Sequence, residues 1–448
     1  MEITTIETPS LGDRSYIVHD GTVALVVDPQ RDIDRVQAAV DAAGVTVTHV
    51  AETHVHNDYV SGGLVLARQA GATYVHAGAE PLRFDHHPVG DGDRFTVGEI
   101  EVEVVHTPGH TPHHLTFVAR HGDEPPAAFT GGSLLYGTVG RTDLISAEAT
   151  DGLTRAQHRS ARHLAEVLPD ATRVYPTHGF GSFCASAPAE GESDGTLATE
   201  RRINLALTTD DEEAFVERLV SGLTAHPRYY ARMGPLNLAG GGPVDLSPPA
   251  PVDPVELARR IHRGEWVVDL RQRRAFAADH LAGTVGIELA DPFSTYLGWL
   301  LPWGMPITLL GDDPEQVAEA QRQLVRIGID RPSGAATGPG PEAWAPDHDR
   351  RAYRVADFGE AAGRAGGVVL DVRRPDEREA SHVEGSVHVP LEELLDRLDE
   401  LPDDELWVHC ASGFRASIGA ALLDRAGRRV VLVDDAFDHA ADAGLTVV

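Results

Sequence analysis

Two short stretches of the chain place side chains capable of chemistry at close spacing. In Thr53-His54-Val55-His56-Asn57-Asp58-Tyr59, two histidines lie two residues apart and an aspartate stands two residues further on. At a strand end His54 and His56 point to the same side, and Asp58 can join them at one cation. The second stretch is Cys410-Ala411-Ser412-Gly413-Phe414-Arg415. Trp407-Val408-His409 before it reads as a buried strand, and Ala416 to Ala426 after it as a helix. A cysteine between strand end and helix start receives backbone N–H groups and the positive end of a helix dipole, both of which favour the thiolate. Gly413 lets the loop curl so that successive amides converge on the sulfur, and Arg415 supplies positive charge at the rim. Such a cradle holds a thiolate, or a persulfide whose charge has moved to the outer sulfur.

These groups need elements to position them, and 448 residues are enough for two to four domains. The first 185 or so residues alternate β-rich runs, such as Val23 to Val27 and Glu101 to Val105, with Ala-rich helical stretches such as Asp34 to Ala43. This is an α/β pattern in which histidine-bearing loops follow strands. From Ser186 to Gly195 the chain turns rich in Ala, Pro, Gly and Glu, and Arg201 to Val220 then reads as helical. The Gly240-Gly241-Gly242-Pro243 and Ser247-Pro248-Pro249-Ala250-Pro251 runs read as a linker. Beyond it lies a repeat: Val267-Val268-Asp269-Leu270-Arg271 with His280, and Val369-Leu370-Asp371-Val372-Arg373 with His382, the Asp-to-His interval being 11 in both. Two small α/β domains follow, with a second linker expected around Pro339 to Pro346.

The net charge of −31, from 69 acidic residues against 38 basic ones that are all arginine, repels nucleic acid and anionic membranes. No run is apolar over the length of a membrane span. Two cysteines far apart in sequence do not make a disulfide framework, and a reducing, cytoplasmic compartment is expected. His86-His87 and His113-His114 read as solvated or supporting groups, and Cys184 as a packed thiol with a substrate-facing role as the alternative.

The histidine loops recur in order as His54, His56 and Asp58, then Thr107-Pro108-Gly109-His110, Thr130-Gly131-Gly132-Ser133 and Pro176-Thr177-His178-Gly179. This series resembles the metallo-β-lactamase superfamily, and the stretches Val139 to Leu144 and Gly179 to Cys184 resemble its persulfide dioxygenase branch. The resemblance covers residues 1–240 and implies an αββα sandwich in which one iron serves the oxidation of glutathione persulfide to sulfite by dioxygen. The iron ligands carry over to His54, His110 and a third position that here is Gly132, which offers no side chain. Tyr59 stands where a further histidine is expected. The Cys-x-x-Gly-x-Arg loop, with Asp371-Val372-Arg373 and His382-Val383-Glu384-Gly385, resembles the rhodanese family over residues 353–448; a phosphatase loop would have one more residue between cysteine and arginine. Residues 252–345 contain no cysteine, and Leu309-Leu310-Gly311-Asp312-Asp313 stands at the matching strand end, so this copy reads as a catalytically silent rhodanese-like domain that packs between its neighbours. The whole chain resembles bacterial fusions of the dioxygenase branch to two rhodanese domains.

The resemblance implies a sulfurtransferase of sulfide and persulfide metabolism in which Cys410 and Arg415, with the loop Ala411, Ser412, Gly413 and Phe414, carry sulfane sulfur without a cofactor. Thiosulfate and glutathione-like thiols and persulfides are the expected partners, and a homo-oligomer the expected assembly. For the N-terminal domain three readings stay open. One iron or zinc ion sits on His54, His56 and His110, with His178 and Asp58 in reach; or His113, His114 or Asp58 swings in for the missing carboxylate; or no catalytic metal is bound. Accordingly the alternatives are an iron-dependent persulfide dioxygenase with an altered mononuclear site, a non-catalytic persulfide sensor, and a thioester hydrolase, which would want two metals.

Overall fold

The computed structural model describes residues 1–186 and 195–448, so the Ala-, Pro-, Gly- and Glu-rich stretch between Ser186 and Gly195 lies outside the described residues. Close contacts divide the chain into two compact units, Met1–Val244 with Leu324–Ile329, and Asp245–Gln323 with Asp330–Val448.

The first unit is built on two sheets. Six strands, Glu2–Thr8, Asp13–His19, Val23–Val27, Thr46–Ala51, Thr73–Ala77 and His87–Val89, lie side by side in chain order. The first three pair antiparallel and the rest parallel. Five more form the second sheet in the order Arg173–Pro176, Ala127–Gly131, Leu115–Arg120, Ile100–His106 and Arg94–Val97. Alternation within Ile100–His106 turns Ile100, Val102 and Val104 into a core shared with Tyr16, Val18, Leu25 and Val75 of the first sheet. The outer faces are covered by helices. Val36 and Val40 of Asp34–Ala43 pack on one sheet, and Ala161, Leu164 and Ala165 of Ala147–Val167 on the other. The result is the expected αββα layering. Asp34–Ala43 ends where Gly44 takes a left-handed conformation (φ 68°), and Ala147–Val167 begins where Ser146 caps the amide of Ala149.

The stretch from Arg201 to Val220 is helical, as expected, and is divided among three helices: Leu197–Ile203, Leu205–Thr208 and Glu212–Ser221. Asn204 and Asp211 interrupt it, because their side chains cap the amides of Ala206 and Ala214 and start new helices.

The second unit contains two all-parallel sheets. One has the order Val285–Gly286, Trp266–Asp269, Ile307–Gly311, Gly334–Thr337; the other Arg354–Ala356, Val430–Val433, Leu406–His409, Val368–Asp371, Val387–His388. The repeated Asp-x-Arg proves to be a structural staple. In both copies the arginine amide and Nε donate to aspartate Oδ1 at 3.0 Å, and Nη2 donates to Oδ2 at 2.7 Å for Arg271 and 2.8 Å for Arg373. The same Nη2 also reaches the carbonyl eight residues on, of Asp279 or Ser381. Each guanidinium then lies over an aromatic ring, Arg271 on Trp344 and Arg373 on Phe437. This corrects the linker expected at Pro339 to Pro346. Residues Pro341–Trp344 are a helical turn, and Trp344 is buried against the first staple. Among the described residues no helix is long and apolar enough to cross a membrane.

Removing one member of a buried ion pair strands the other. Asp269→Ala is therefore expected to destabilise the second unit by roughly 3–5 kcal/mol, measured by urea unfolding; a loss below about 1 kcal/mol would mean that Arg271 finds another partner.

Candidate functional site

The loop that follows strand Thr46–Ala51 brings His54 and His56 to one edge of the sandwich, where His110 and His178 arrive on loops after Ile100–His106 and Arg173–Pro176. All four imidazoles are buried. Their ring centroids lie 4.1 Å (His54–His56), 4.8 Å (His54–His110), 5.3 Å (His54–His178) and 5.4 Å (His110–His178) apart. Each ring has one nitrogen held from outside. His54 Nδ1 lies 2.9 Å from Thr53 Oγ1, whose own hydrogen goes to Asp28 Oδ2, so the imidazole is the donor there and Nε2 keeps a lone pair that faces His178. His110 Nδ1 donates to the Arg141 carbonyl at 2.7 Å, and Nε2 has no partner. His56 Nε2 faces Tyr59 Oη at 3.0 Å, Glu52 at 3.2 Å and Asp28 at 3.3 Å, which leaves Nδ1 unpartnered. His178 Nδ1 donates to Asp13 at 2.8 Å and lies 3.2 Å from Asp58, while its Nε2 is 3.3 Å from His54 Nε2.

That pattern fits a metal ion. Metal-binding histidines characteristically have the second ring nitrogen held by a carboxylate or carbonyl. A tetrahedral centre with nitrogen ligands at 2.0–2.1 Å has edges of about 3.3 Å, close to the His54–His178 separation. One ligand atom each of His54, His56 and His178 lie within 4.8 Å of one another, as do those of His110, His178 and Cys184. Buried orphans such as His56 Nδ1 and His110 Nε2 cost on the order of 1–3 kcal/mol each when left unmet. The donors present are imidazoles, however, and not the two histidines and a carboxylate of the implied iron site.

The two substituted positions are filled. Tyr59 is fully buried, stacks on His56 (4.3 Å, 23°) and donates to the Asp28 carbonyl at 3.3 Å. At Gly132 a Cβ would overlap the His110 ring, so that ring fills the space an aspartate would need. The Gly132 amide donates to His114 Nε2 at 3.0 Å, and His114 Nδ1 is engaged by Thr107. His114 is thereby locked and does not swing in, contrary to one expectation, and half-buried His113 lines a separate surface recess with His106 and Leu115. Asp58 does not meet His54 and His56 at one cation either; it grips the outer nitrogen of His178 beside Asp13.

Carboxylates missed from sequence hold the ring cluster in charge balance. Burial opposes a charged His56, but Asp28 and Glu52 outweigh it and hold its pKa up at about 9. Burial likewise opposes charge on His178, yet Asp58 and Asp13 raise it well above the usual value. Asp13 itself is pushed up to about 8 by burial and Asp58, and Glu52 to about 7 by burial. Burial, reinforced by the neighbouring histidines, drives His54 well below the ordinary range, and burial with the charge of His178 lowers His110 to about 3. The signal for Asp28 was present in the sequence as Val26-Val27-Asp28-Pro29, an aspartate closing a buried strand; Asp13 and Glu52 gave none.

In the second unit Cys410 is buried in the turn between Leu406–His409 and helix Phe414–Arg425. The Gly413 amide donates to Sγ at 3.2 Å. Gly413 has φ 89°, and a Cβ there would overlap the Asp434 carboxylate, so both conformation and space require glycine. Asp434 is in turn held by Arg273 (2.7 Å) and Arg274 (2.5 Å), and Tyr296 packs on Phe414 at 5.7 Å. The cysteine-free copy thus braces this loop. Arg415, the cation expected at the rim, is paired: Nη1 and Nη2 donate to the two oxygens of Glu377 at 2.5 and 2.7 Å. Ladder register explains why the other copy lacks a cradle. Asp371 pairs with His409 and Asp269 with Leu310, which puts Gly311 opposite the position of Cys410. There the amide of Asp312 is already taken by the Gln316 side chain at 2.8 Å.

Known proteins resemble both the N-terminal and the C-terminal parts of the chain. Residues 355–442 match the rhodanese-like domain family. Persulfide dioxygenase ETHE1 of Bos taurus is 30% identical over 209 residues, 45% of this chain and 72% of that protein. A hydroxyacylglutathione hydrolase of Synechococcus sp. (strain WH7803) is 34% identical over 167 residues, 36% of this chain and 62% of that protein, less than two thirds of its length. The crystal structure of a metallo-beta-lactamase from Staphylococcus aureus subsp. aureus COL superposes with TM-score 0.66 at 27% identity, covering 75% of this chain and 99% of that one.

Two outcomes follow from the geometry. Gly132→Asp is expected to overpack the His110 ring and cost about 1–3 kcal/mol instead of restoring an iron ligand; a variant as stable as the parent that gains a full iron equivalent would contradict this. In chelator-treated protein the folded His56 value lies above the roughly 6.5 of a free imidazole. Its contribution is therefore full below about pH 6.5 and lost as pH rises through about 9. The melting temperature should fall across that window, and a flat profile would count against the His56 pairing.

Proposed function

The chain belongs to the metallo-β-lactamase-fold family that includes the persulfide dioxygenases and carries a rhodanese-like domain over residues 355–442, and from this we propose that it is a sulfurtransferase of persulfide metabolism whose reacting atom is Cys410 Sγ. The observation that carries the reading is the turn itself: a cysteine at a strand-to-helix junction with a left-handed glycine three residues on, whose amide points at the sulfur. A persulfide there keeps the same donor, with charge on the outer sulfur stabilised by the amide and by the start of helix Phe414–Arg425.

The Cys410 thiolate attacks the sulfane sulfur of a persulfide or thiosulfate. The Cys410 S–S bond forms as the donor S–S bond breaks, and the donor thiol or sulfite departs with the electron pair. An acceptor thiolate then attacks the outer sulfur, takes it as its own persulfide and returns Cys410 to the thiolate. Arg415, fixed by Glu377, holds the first turn of the helix in place, and glutathione-like thiols are the acceptor class the chemistry favours.

For the first unit we infer a single metal ion held among His54, His56, His110 and His178, the set whose outer nitrogens are held and whose remaining nitrogens lack a protein partner or face each other. A divalent ion there supplies Lewis-acid chemistry beside a substrate sulfur. Thr53 and the Arg141 carbonyl fix His54 and His110 by Nδ1, which leaves each Nε2 lone pair available to the ion, and Tyr59 shields His56 from water.

Cys410→Ser is expected to abolish transfer from thiosulfate or glutathione persulfide to cyanide or a thiol, a loss of about a hundredfold or more. Undiminished transfer in that variant would sink the proposal and leave a persulfide-binding role.

A further inference from the structure

Cys184 is the other of the two cysteines in the chain, and its surroundings give it a part that neither the histidine loops nor the rhodanese chemistry uses. It is fully buried. Its sulfur and ligand atoms of His110 and His178 lie within 4.8 Å of one another, against edges of about 3.3–3.6 Å for a tetrahedral centre with nitrogen ligands at 2.0–2.1 Å and sulfur at 2.3 Å. A shift of about an ångström closes the set. The independent sign of a ligand is His110 Nε2, a fully buried nitrogen with no partner on a ring whose other nitrogen is fixed to the Arg141 carbonyl at 2.7 Å.

The same residue fixes the cysteine. The Arg141 amide donates to the Cys184 carbonyl at 2.8 Å, and its guanidinium donates to the Phe183 carbonyl at 3.1 Å. The Cys184 amide is held by Ser182 Oγ at 3.2 Å. Thiol and imidazole are thus presented from two sides of one buried arginine, which is paired with Asp143 at 2.7 Å. Cys184 and His110 are placed by the same backbone, whereas the position that would carry the carboxylate, Gly132, is closed by the His110 ring.

We propose that Cys184 is the anionic ligand of the metal centre in the first unit, joining His110 and His178, with His54 Nε2 3.3 Å from His178, around a thiophilic divalent ion of the zinc class. Coordination removes the thiol proton to solvent and puts the sulfur's negative charge on the ion, which replaces the charge that Gly132 cannot supply. Exchanging a hard carboxylate for a thiolate moves the donor set from one suited to iron and dioxygen toward one suited to zinc. The inference rests on the metal-binding reading of the four histidines and assigns its missing ligand.

The test uses the full chain with Cys410→Ser, so that Cys184 is the sole thiol, titrated with cobalt(II) as a spectroscopic probe. A thiolate-to-cobalt charge-transfer band in the near ultraviolet, saturating at one equivalent, is expected. Adding Cys184→Ser should remove that band and weaken cobalt binding about tenfold or more, while the visible bands of histidine-bound cobalt remain and report a folded site. Visible bands without the charge-transfer band in the Cys410→Ser protein would overturn the role of Cys184 and leave the histidine site standing. Absence of any cobalt spectrum would overturn both. X-ray absorption of the zinc-loaded Cys410→Ser chain gives a reading that does not depend on the double variant: a sulfur shell at about 2.3 Å supports the assignment, and only nitrogen and oxygen scatterers near 2.0–2.1 Å would refute it.

Discussion

The histidine cluster hangs on one buried carboxylate. Asp28 closes strand Val23–Val27 at φ 51°, the one non-glycine residue with positive φ among those described, a conformation that persists only where the surroundings over-determine it. Its oxygens accept from the Thr53 amide and hydroxyl, each at 2.7 Å, and from the Thr177 hydroxyl, and lie 3.3 Å from His56. Its carbonyl accepts from Ser15 and Tyr59. Burial works against this charge, yet His56, Thr177 and Thr53 hold its pKa down to about 2. Through Thr53 and Thr177 the same group sets the loops that present His54 and His178. The site is therefore as rigid as that one aspartate.

With that anchor in place, the loss of two ligand positions changes the site without dissolving it. Tyr59 keeps a polar atom on His56 and a ring in the space a histidine would use, and Gly132 makes room for His110 to lean inward. What survives is a cluster of imidazoles with their outer nitrogens held by Asp13, Asp58, Asp28, Glu52, Thr53 and a backbone carbonyl. A degenerate pocket kept only for packing would be expected to replace such groups with apolar ones, because unpartnered buried nitrogens are costly.

The second unit shows the same economy in a different form. The Asp-x-Arg staple folds both copies, and one copy adds a sulfur cradle while the other fills the matching turn with its own Gln316. The copy without a cysteine still contacts the cysteine turn, since Arg273 and Arg274 hold Asp434 beside Gly413 and Tyr296 packs on Phe414.

Much of this was legible in the residues. Strand Val23–Val27, helix Asp34–Ala43, the repeat, the Cys410 turn and the histidine loops can be read directly, because each depends on neighbours in sequence: a period of two or 3.6, a glycine at a left-handed turn, a spacing of two between ligands. The partners of Arg415 and His114, the breaks at Asn204 and Asp211, and the fate of the Trp344 segment were not, since those are set by which side chain wins a hydrogen bond across the fold. The sequence by itself determined which groups were available for chemistry and that Gly132 and Tyr59 had left the usual ligand set. Only the tertiary structure decided what stands in their place, because groups such as Asp13 reach the histidines from up to 165 residues away along the chain, and that proximity is a property of packing that no local pattern encodes.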